Sequence, residues 1–190
     1  TGIIFFKMTP KKDKPKEMFP VMKAYTVWNH DQIPGLPESI PTEVVEFDAA
    51  TEVERYLEGL NLKGGIHRGG DRAFFSPAND AVAFPHDDAF ECEHERESTK
   101  AHEGMHATGA RNRLNRRAFR EYSKENYAYE ELVAELGAAM TCAHLGIPIE
   151  KLQHKEYIRG WLKSLKDDKK FLFRAAAEAS KGFQLLTGVE

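Results

Sequence analysis

Residues 102–106 read His-Glu-Gly-Met-His, and this pentapeptide constrains the chain more than any other stretch. On a helix, positions i and i+4 project from one face, so His102 and His106 can offer two imidazoles to one metal ion. Glu103 lies about 100° around the same helix, beside such an ion, where it can take a proton from a catalytic water. The local sequence permits the helix: residues 95–101 are good helix formers, and Thr108-Gly109 supplies a stop. Two histidines do not complete a catalytic metal site, so the fold must deliver a third ligand from another segment. Without that ligand the pentapeptide is only a surface helix with two solvated imidazoles.

Residues 131–143 supply the candidate. They read Glu-Leu-Val-Ala-Glu-Leu-Gly-Ala-Ala-Met-Thr-Cys-Ala, apolar nearly all round after Glu135, as in a buried helix. Glu131 and Glu135 share one face, and a buried carboxylate costs several kcal/mol unless it is paired or bound to metal. Glu131 as third ligand, with Glu135 behind it accepting from a ligand histidine, would satisfy both. The blander alternative turns both glutamates to solvent on a half-exposed helix.

Composition removes other classes. The 190 residues include no apolar run near the roughly 18 a membrane helix needs, so no membrane partner is expected. Two cysteines, Cys92 and Cys142, do not make the framework of a small secreted domain, and a reducing cytoplasm is expected. The opening Thr1-Gly2-Ile3-Ile4-Phe5-Phe6 reads as a strand rather than a signal peptide. A net charge of −3 gives no global pull toward nucleic acid. The basic clusters at Lys11, Lys12, Lys14, Lys16 and at Arg111, Arg113, Arg116, Arg117, Arg120 read as solvated surface. No phosphate-binding G-x-x-x-x-G-K-[ST] run and no G-x-S-x-G nucleophile turn occurs. Cys92 and His94 sit in an acidic run that reads as a solvated helix face. Among Tyr122, Tyr127 and Tyr129, Tyr127 is best placed to hydrogen-bond a developing oxyanion.

Pattern and punctuation predict strands over 2–8, 21–29, 62–67, 72–76 and 81–85. Residues 9–20, with three prolines and five lysines, read as a flexible connection, and Pro77 to Asp80 as a hairpin turn. Helices are expected over about 49–60, capped by Asp48, and near 88–108, 117–122, 125–145, 150–166 and 168–186, the last capped by Asp168. The class is α+β: a small, mostly antiparallel sheet followed by packed helices, two of which carry the HExxH histidines and the glutamates.

The run from His102 to Gly109, Arg113-Leu114-Asn115-Arg116, and Tyr127 to Ala139 together resemble the ArdC-type antirestriction proteins, which carry a zincin-like metallopeptidase domain. Ala24 to Asn29 with Gln32, Asp71 to Pro77, and the closing residues around Tyr157, Trp161 and Arg174 resemble that family too. The resemblance implies that His102 and His106 are ligands, Glu103 the catalytic residue, and one of Glu130 and Glu131 the third ligand. Glu131 fits the gluzincin spacing Glu131-x-x-x-Glu135. It also implies that residues 1–20 are the tail and linker of a single-stranded-DNA-binding domain, and that 21–190 form the metallopeptidase domain. Two departures stand out. Gly104 occupies a position usually bulky and aliphatic, and Ala110 one where histidine is common.

The expected activity is hydrolysis of a protein or peptide substrate by a Glu103-activated, zinc-bound water, with Tyr127 assisting and residues 81–85 pairing with the substrate as an edge strand. Mn2+ and Co2+ fit the same donors. The rival expectation is a metal-stabilised binding domain that protects incoming DNA or inhibits host restriction without cleaving, alongside single-stranded DNA binding through the adjoining domain.

Overall fold

A computed structural model describes residues 2–28, 32–35, 48–148 and 170–189. The chain divides into two compact units, Thr1–Val45 and Glu46–Glu190.

The first unit is an antiparallel ribbon of β1, Gly2–Lys11, and β2, Lys14–Thr26, in register from Gly2 opposite Thr26 to Pro10 opposite Met18. The flexible connection expected over 9–20 is instead strand. Both strands of a two-stranded ribbon are edges, so half of their backbone groups face away from the partner, and proline is tolerated there. The expected domain boundary at 20/21 therefore falls inside β2. The ribbon leaves Ile4, Met22 and the following Trp28 largely exposed.

The second unit begins with α1, Ala49–Gly59. The Asp48 carboxylate accepts from the Thr51 amide and hydroxyl, as the sequence predicts for a cap. A three-stranded sheet follows: β3, Gly65–Arg68; β4, Phe74–Ser76; β5, Ala81–Phe84. The order is β3-β5-β4. The hairpin of β4 and β5 is antiparallel as expected, but β3 runs parallel to β5. Gly69 and Gly70, at φ +117° and +86°, let the chain cross the sheet end between β3 and β4, conformations that a side chain would strain. Residues 81–84 are thus the central strand, not an edge. Both sides of β5 are already paired, so a substrate could add only to β3 or β4.

Three long helices complete the unit: α2, Glu93–Thr108; α3, Lys124–His144; and α4, Phe171–Thr187. Single 3-10 turns at Asp87–Ala89 and Arg117–Phe119 stand where the sequence predicts the start of the HExxH helix and a separate helix over 117–122. The expected helix 150–166, Asp168, Tyr157 and Trp161 lie outside the described residues. Phe171 packs on Tyr129, whereas Phe173 is exposed rather than packed.

α2 is the hub, packing on α1, α3, α4, β4 and β5. Its second half is buried nearly all round, from Lys100 to Met105 and again at Ala107 and Thr108. Small residues on the neighbours make this approach possible. The fully buried Met105 lies where a Cβ on Gly137 of α3 or Gly182 of α4 would collide with it. Gly104 has a similar reason. A Cβ there would sit 2.9 Å from Leu57 of α1 and 3.3 Å from Leu186 of α4. The roughly 1 kcal/mol of helix propensity a glycine gives up is thus exchanged for close contact among three helices. Val53, Tyr56, Leu57, Val82, Phe84, Met105 and Leu186 form the core beneath the metal-motif helix.

Candidate metal centre

α2 and α3 lie side by side, and their facing sides bring together what the sequence singled out. His102, His106 and Glu131 converge, with a ligand atom from each within 4.8 Å of the others. The two Nε2 atoms are 3.1 Å apart. The Glu131 carboxylate lies 3.6 Å from His102 Nε2 and 3.5 Å from His106 Nε2. A tetrahedral ion with ligand bonds of about 2.0–2.1 Å has donor–donor edges of about 3.3–3.4 Å, which these spacings bracket. Two imidazole nitrogens and a carboxylate also suit zinc, manganese or cobalt chemically. The donor set therefore fits a divalent ion.

The far side of each ring is also occupied. His106 Nδ1 is 3.2 Å from Glu130 Oε1, in hydrogen-bond geometry. His102 Nδ1 is 3.3 Å from Glu135 Oε1, a contact whose angle is not that of a formed hydrogen bond. Each carboxylate favours a proton on Nδ1 and so leaves Nε2 free to face the centre. Glu135 was expected to accept from a ligand histidine, and it lies against His102. Glu130, left above as one of two candidates for third ligand, backs the other.

Glu130 in turn is held by Arg116. Arg116 Nε donates to Oε2 at 2.8 Å and Nη2 to Oε1 at 2.5 Å, with further bonds to Thr108 Oγ1 and the Met105 carbonyl. Arg116 is 5% exposed, so it is not solvated surface. Arg113 is half-buried, pairing through both terminal nitrogens with Asp80 at 2.7 and 3.2 Å. Gly109 makes room for Arg116: a Cβ there would collide with its guanidinium and with the Phe119 ring. At φ −78° this glycine is needed for space, not for backbone freedom.

The centre is rich in negative charge. Glu103, Glu130, Glu131 and Glu135 are all buried, and among them only Glu130 is paired with an arginine. Burial alone would keep His106 neutral, but hydrogen bonds to Glu130 and Glu131 and the charge of Glu103 lift it to about 10. Burial would likewise raise Glu131, yet hydrogen bonds from His102, His106 and Tyr127 hold it well below the ordinary carboxylate range. A divalent ion held by these donors would offset that negative charge, and binding it would displace any proton from a ligand nitrogen. Tyr127, one turn before Glu131, is 44% exposed and spends its hydroxyl on Glu131. Glu103 hydrogen-bonds no other side chain among the described residues. Cys92 and His94 are exposed and remote from the cluster.

An HExxH helix set against a second helix that returns a carboxylate, beside a small mixed sheet, defines a zincin-like metal centre. The model of the zincin-like metallopeptidases matches residues 51–178, which all lie after the ribbon. The chain belongs to this family. The antirestriction protein ArdC from the R388 plasmid, solved metal-free and with Mn(II), is 34% identical. The metal-free structure superposes with TM-score 0.77 over 98% of this chain and 68% of ArdC, and the Mn(II)-bound structure with 0.78 over 99% and 68%. A DNA primase TraC of Escherichia coli is 34% identical over 175 residues, which are 92% of this chain and 12% of the primase. The chain spans between 12% and 52% of the curated relatives it matches. No helix among the described residues is long and apolar enough to cross a membrane.

Proposed function

We propose that this domain is a metallopeptidase of ArdC type that cleaves a protein substrate, with zinc or a similar divalent ion held by His102, His106 and Glu131. The observation that carries the reading is the convergence of both Nε2 atoms and Glu131 on one point, while Glu130 and Glu135 occupy the far sides of the rings. When bound, the ion supplies Lewis acidity toward a scissile carbonyl and an attacking water.

The chain's own groups then divide the work. Glu130 and Glu135 fix the tautomer and aim of the imidazoles. Glu103 is buried beside the ligands and hydrogen-bonds no other side chain among the described residues, so it is available to take a proton from the attacking water and return it to the leaving amine. Tyr127 orients Glu131, and turning its hydroxyl toward a developing oxyanion requires breaking that bond. An extended substrate pairs along β4, the accessible antiparallel edge. We place the activity in the cytoplasm, in antirestriction, with single-stranded DNA as a partner of the ribbon-bearing part of a longer protein.

The second reading is a metal-stabilised binding domain that protects DNA without cleaving. The Arg116–Glu130 clamp favours it to this extent: the site's supports also tie α2 to α3, so a bound ion would stabilise the fold whether or not chemistry follows. Glu103→Gln separates the two readings. In a peptidase the variant keeps one ion per chain, read by metal analysis and anomalous scattering at His102 and His106, and loses cleavage of a peptide library by at least about a hundredfold. If the wild type cleaves nothing, or the variant cleaves equally well, the binding reading stands.

A further inference from the structure

A cleft of about 510 Å3 opens beyond the C-terminal end of α2. Its size is that of a small-ligand site, roughly 300–1,000 Å3. Lys63, Pro77, Asp80, Arg111, Asn112 and Phe119 are among the residues that line it. Its charge is not what a count suggests. The one lining carboxylate, Asp80, is spent on both terminal nitrogens of Arg113, the Asn112 amide and the Lys63 backbone amide. Arg111 donates from Nε to the Phe119 carbonyl at 2.7 Å and from Nη2 to the Arg120 carbonyl at 3.4 Å. Those bonds hold the guanidinium in place and leave its charge uncompensated. Neither Arg111 nor Lys63 has an acidic side-chain partner among the described residues. Two cations, one of them pre-oriented, thus face a cleft with an aromatic wall and two side-chain amides, Asn79 and Asn112.

We infer that this cleft binds an acidic side chain of a polypeptide, through Arg111 and Lys63. Its position favours a peptide over other anions. Ala110 in its wall lies two residues beyond the end of the helix that carries His102 and His106, and Pro77 and Ala78 continue from the end of β4. A chain laid along β4 toward Ser76 therefore reaches the cleft within about two or three residues at about 3.3 Å each. The identity of that peptide as substrate rests on the peptidase reading, whereas the binding itself does not.

The test is an NMR titration of the 190-residue chain, loaded with Zn2+, using acetyl-Ala-Glu-Ala-amide, acetyl-Ala-Gln-Ala-amide, inorganic phosphate and a single-stranded oligothymidylate. The glutamate peptide is expected to move the Asn79 and Asn112 side-chain amides and to bind about tenfold more tightly than the glutamine peptide. Arg111→Met and Lys63→Met should each remove most of that difference. Lys63→Met leaves Tm unchanged, because the Lys63 side chain is exposed and unpaired among the described residues. Equal binding of the two peptides, no binding, or binding of phosphate or oligothymidylate alone overturns the proposal. These outcomes separate from cleavage. A chain that cleaves without discriminating sinks the cleft alone, and one that discriminates without cleaving sinks the peptidase alone.

Discussion

The two histidines of the centre come from one helix and face one point, yet they are supported differently. Behind His106, Glu130 is hydrogen-bonded to the ring and gripped by an arginine that also bonds Thr108 and the Met105 carbonyl. Behind His102, Glu135 lies at a similar distance, off the hydrogen-bond axis. Behind His106 the support therefore runs unbroken from ring to scaffold, whereas behind His102 the Glu135 contact is an ion-pair distance without hydrogen-bond alignment. The difference also shows why a buried arginine far from the chemistry belongs to the centre's machinery.

The largest test of that contrast is Arg116→Met. It leaves Glu130 buried without its cation, a change that costs about 3–5 kcal/mol when one partner of a buried pair is removed. Urea unfolding of the chelated chain should show a loss of that order. A loss under about 1 kcal/mol would mean that the clamp is ornamental. Next come Glu130→Gln and Glu135→Gln, each read by competitive Zn2+ titration. Loss of a carboxylate behind a ligand histidine typically costs about 10–100-fold in affinity. Glu130→Gln should fall near the upper end and Glu135→Gln near the lower, and equal effects would erase the distinction between the two rings.

A further test is Asp80→Asn, which probes an ion pair away from the metal ligands. Burial opposes the Asp80 charge, but hydrogen bonds from Arg113, Lys63 and Asn112 outweigh it and hold the carboxyl below its ordinary value. Asparagine tolerates the left-handed backbone at this position, φ +50°, so the substitution isolates the charge. A carboxyl depressed on folding stabilises above its unfolded value, near about 3.9, and stops doing so as pH falls through the folded value. The wild type should therefore lead the variant by about 1–3 kcal/mol at pH 7, with the gap closing below about pH 4. A gap unchanged at pH 2.5 would show that the charge is not its source. Metal affinity should not move.

His102 with His106 and Glu131 with Glu135 were legible because helical spacing puts each pair on one face, Glu103 because the HExxH pattern sets it beside the first histidine, and the glutamates because carboxylates on an apolar helix demand a partner. Glu130 was half legible. The family resemblance pointed to one of the adjacent Glu130 and Glu131 as third ligand, and the sequence assigned the other no place behind a histidine. Arg116 was read as surface because arginines usually are, and its burial depends on the space beside Gly109, which local pattern does not encode. In the sheet, alternation marked β4 and β5, while their order depended on which side of the hairpin β3 entered. The prolines of the ribbon masked strands whose open edges accommodate them.

β4 has only three residues, and β5 is enclosed. Alternate residues of a strand face outward, so a polypeptide aligned there exchanges main-chain bonds through only about one or two of them. Recognition that thin cannot hold a chain by its backbone whatever its composition. On the peptidase reading, what this domain accepts is decided by the side chains a client presents, and few sequences would qualify.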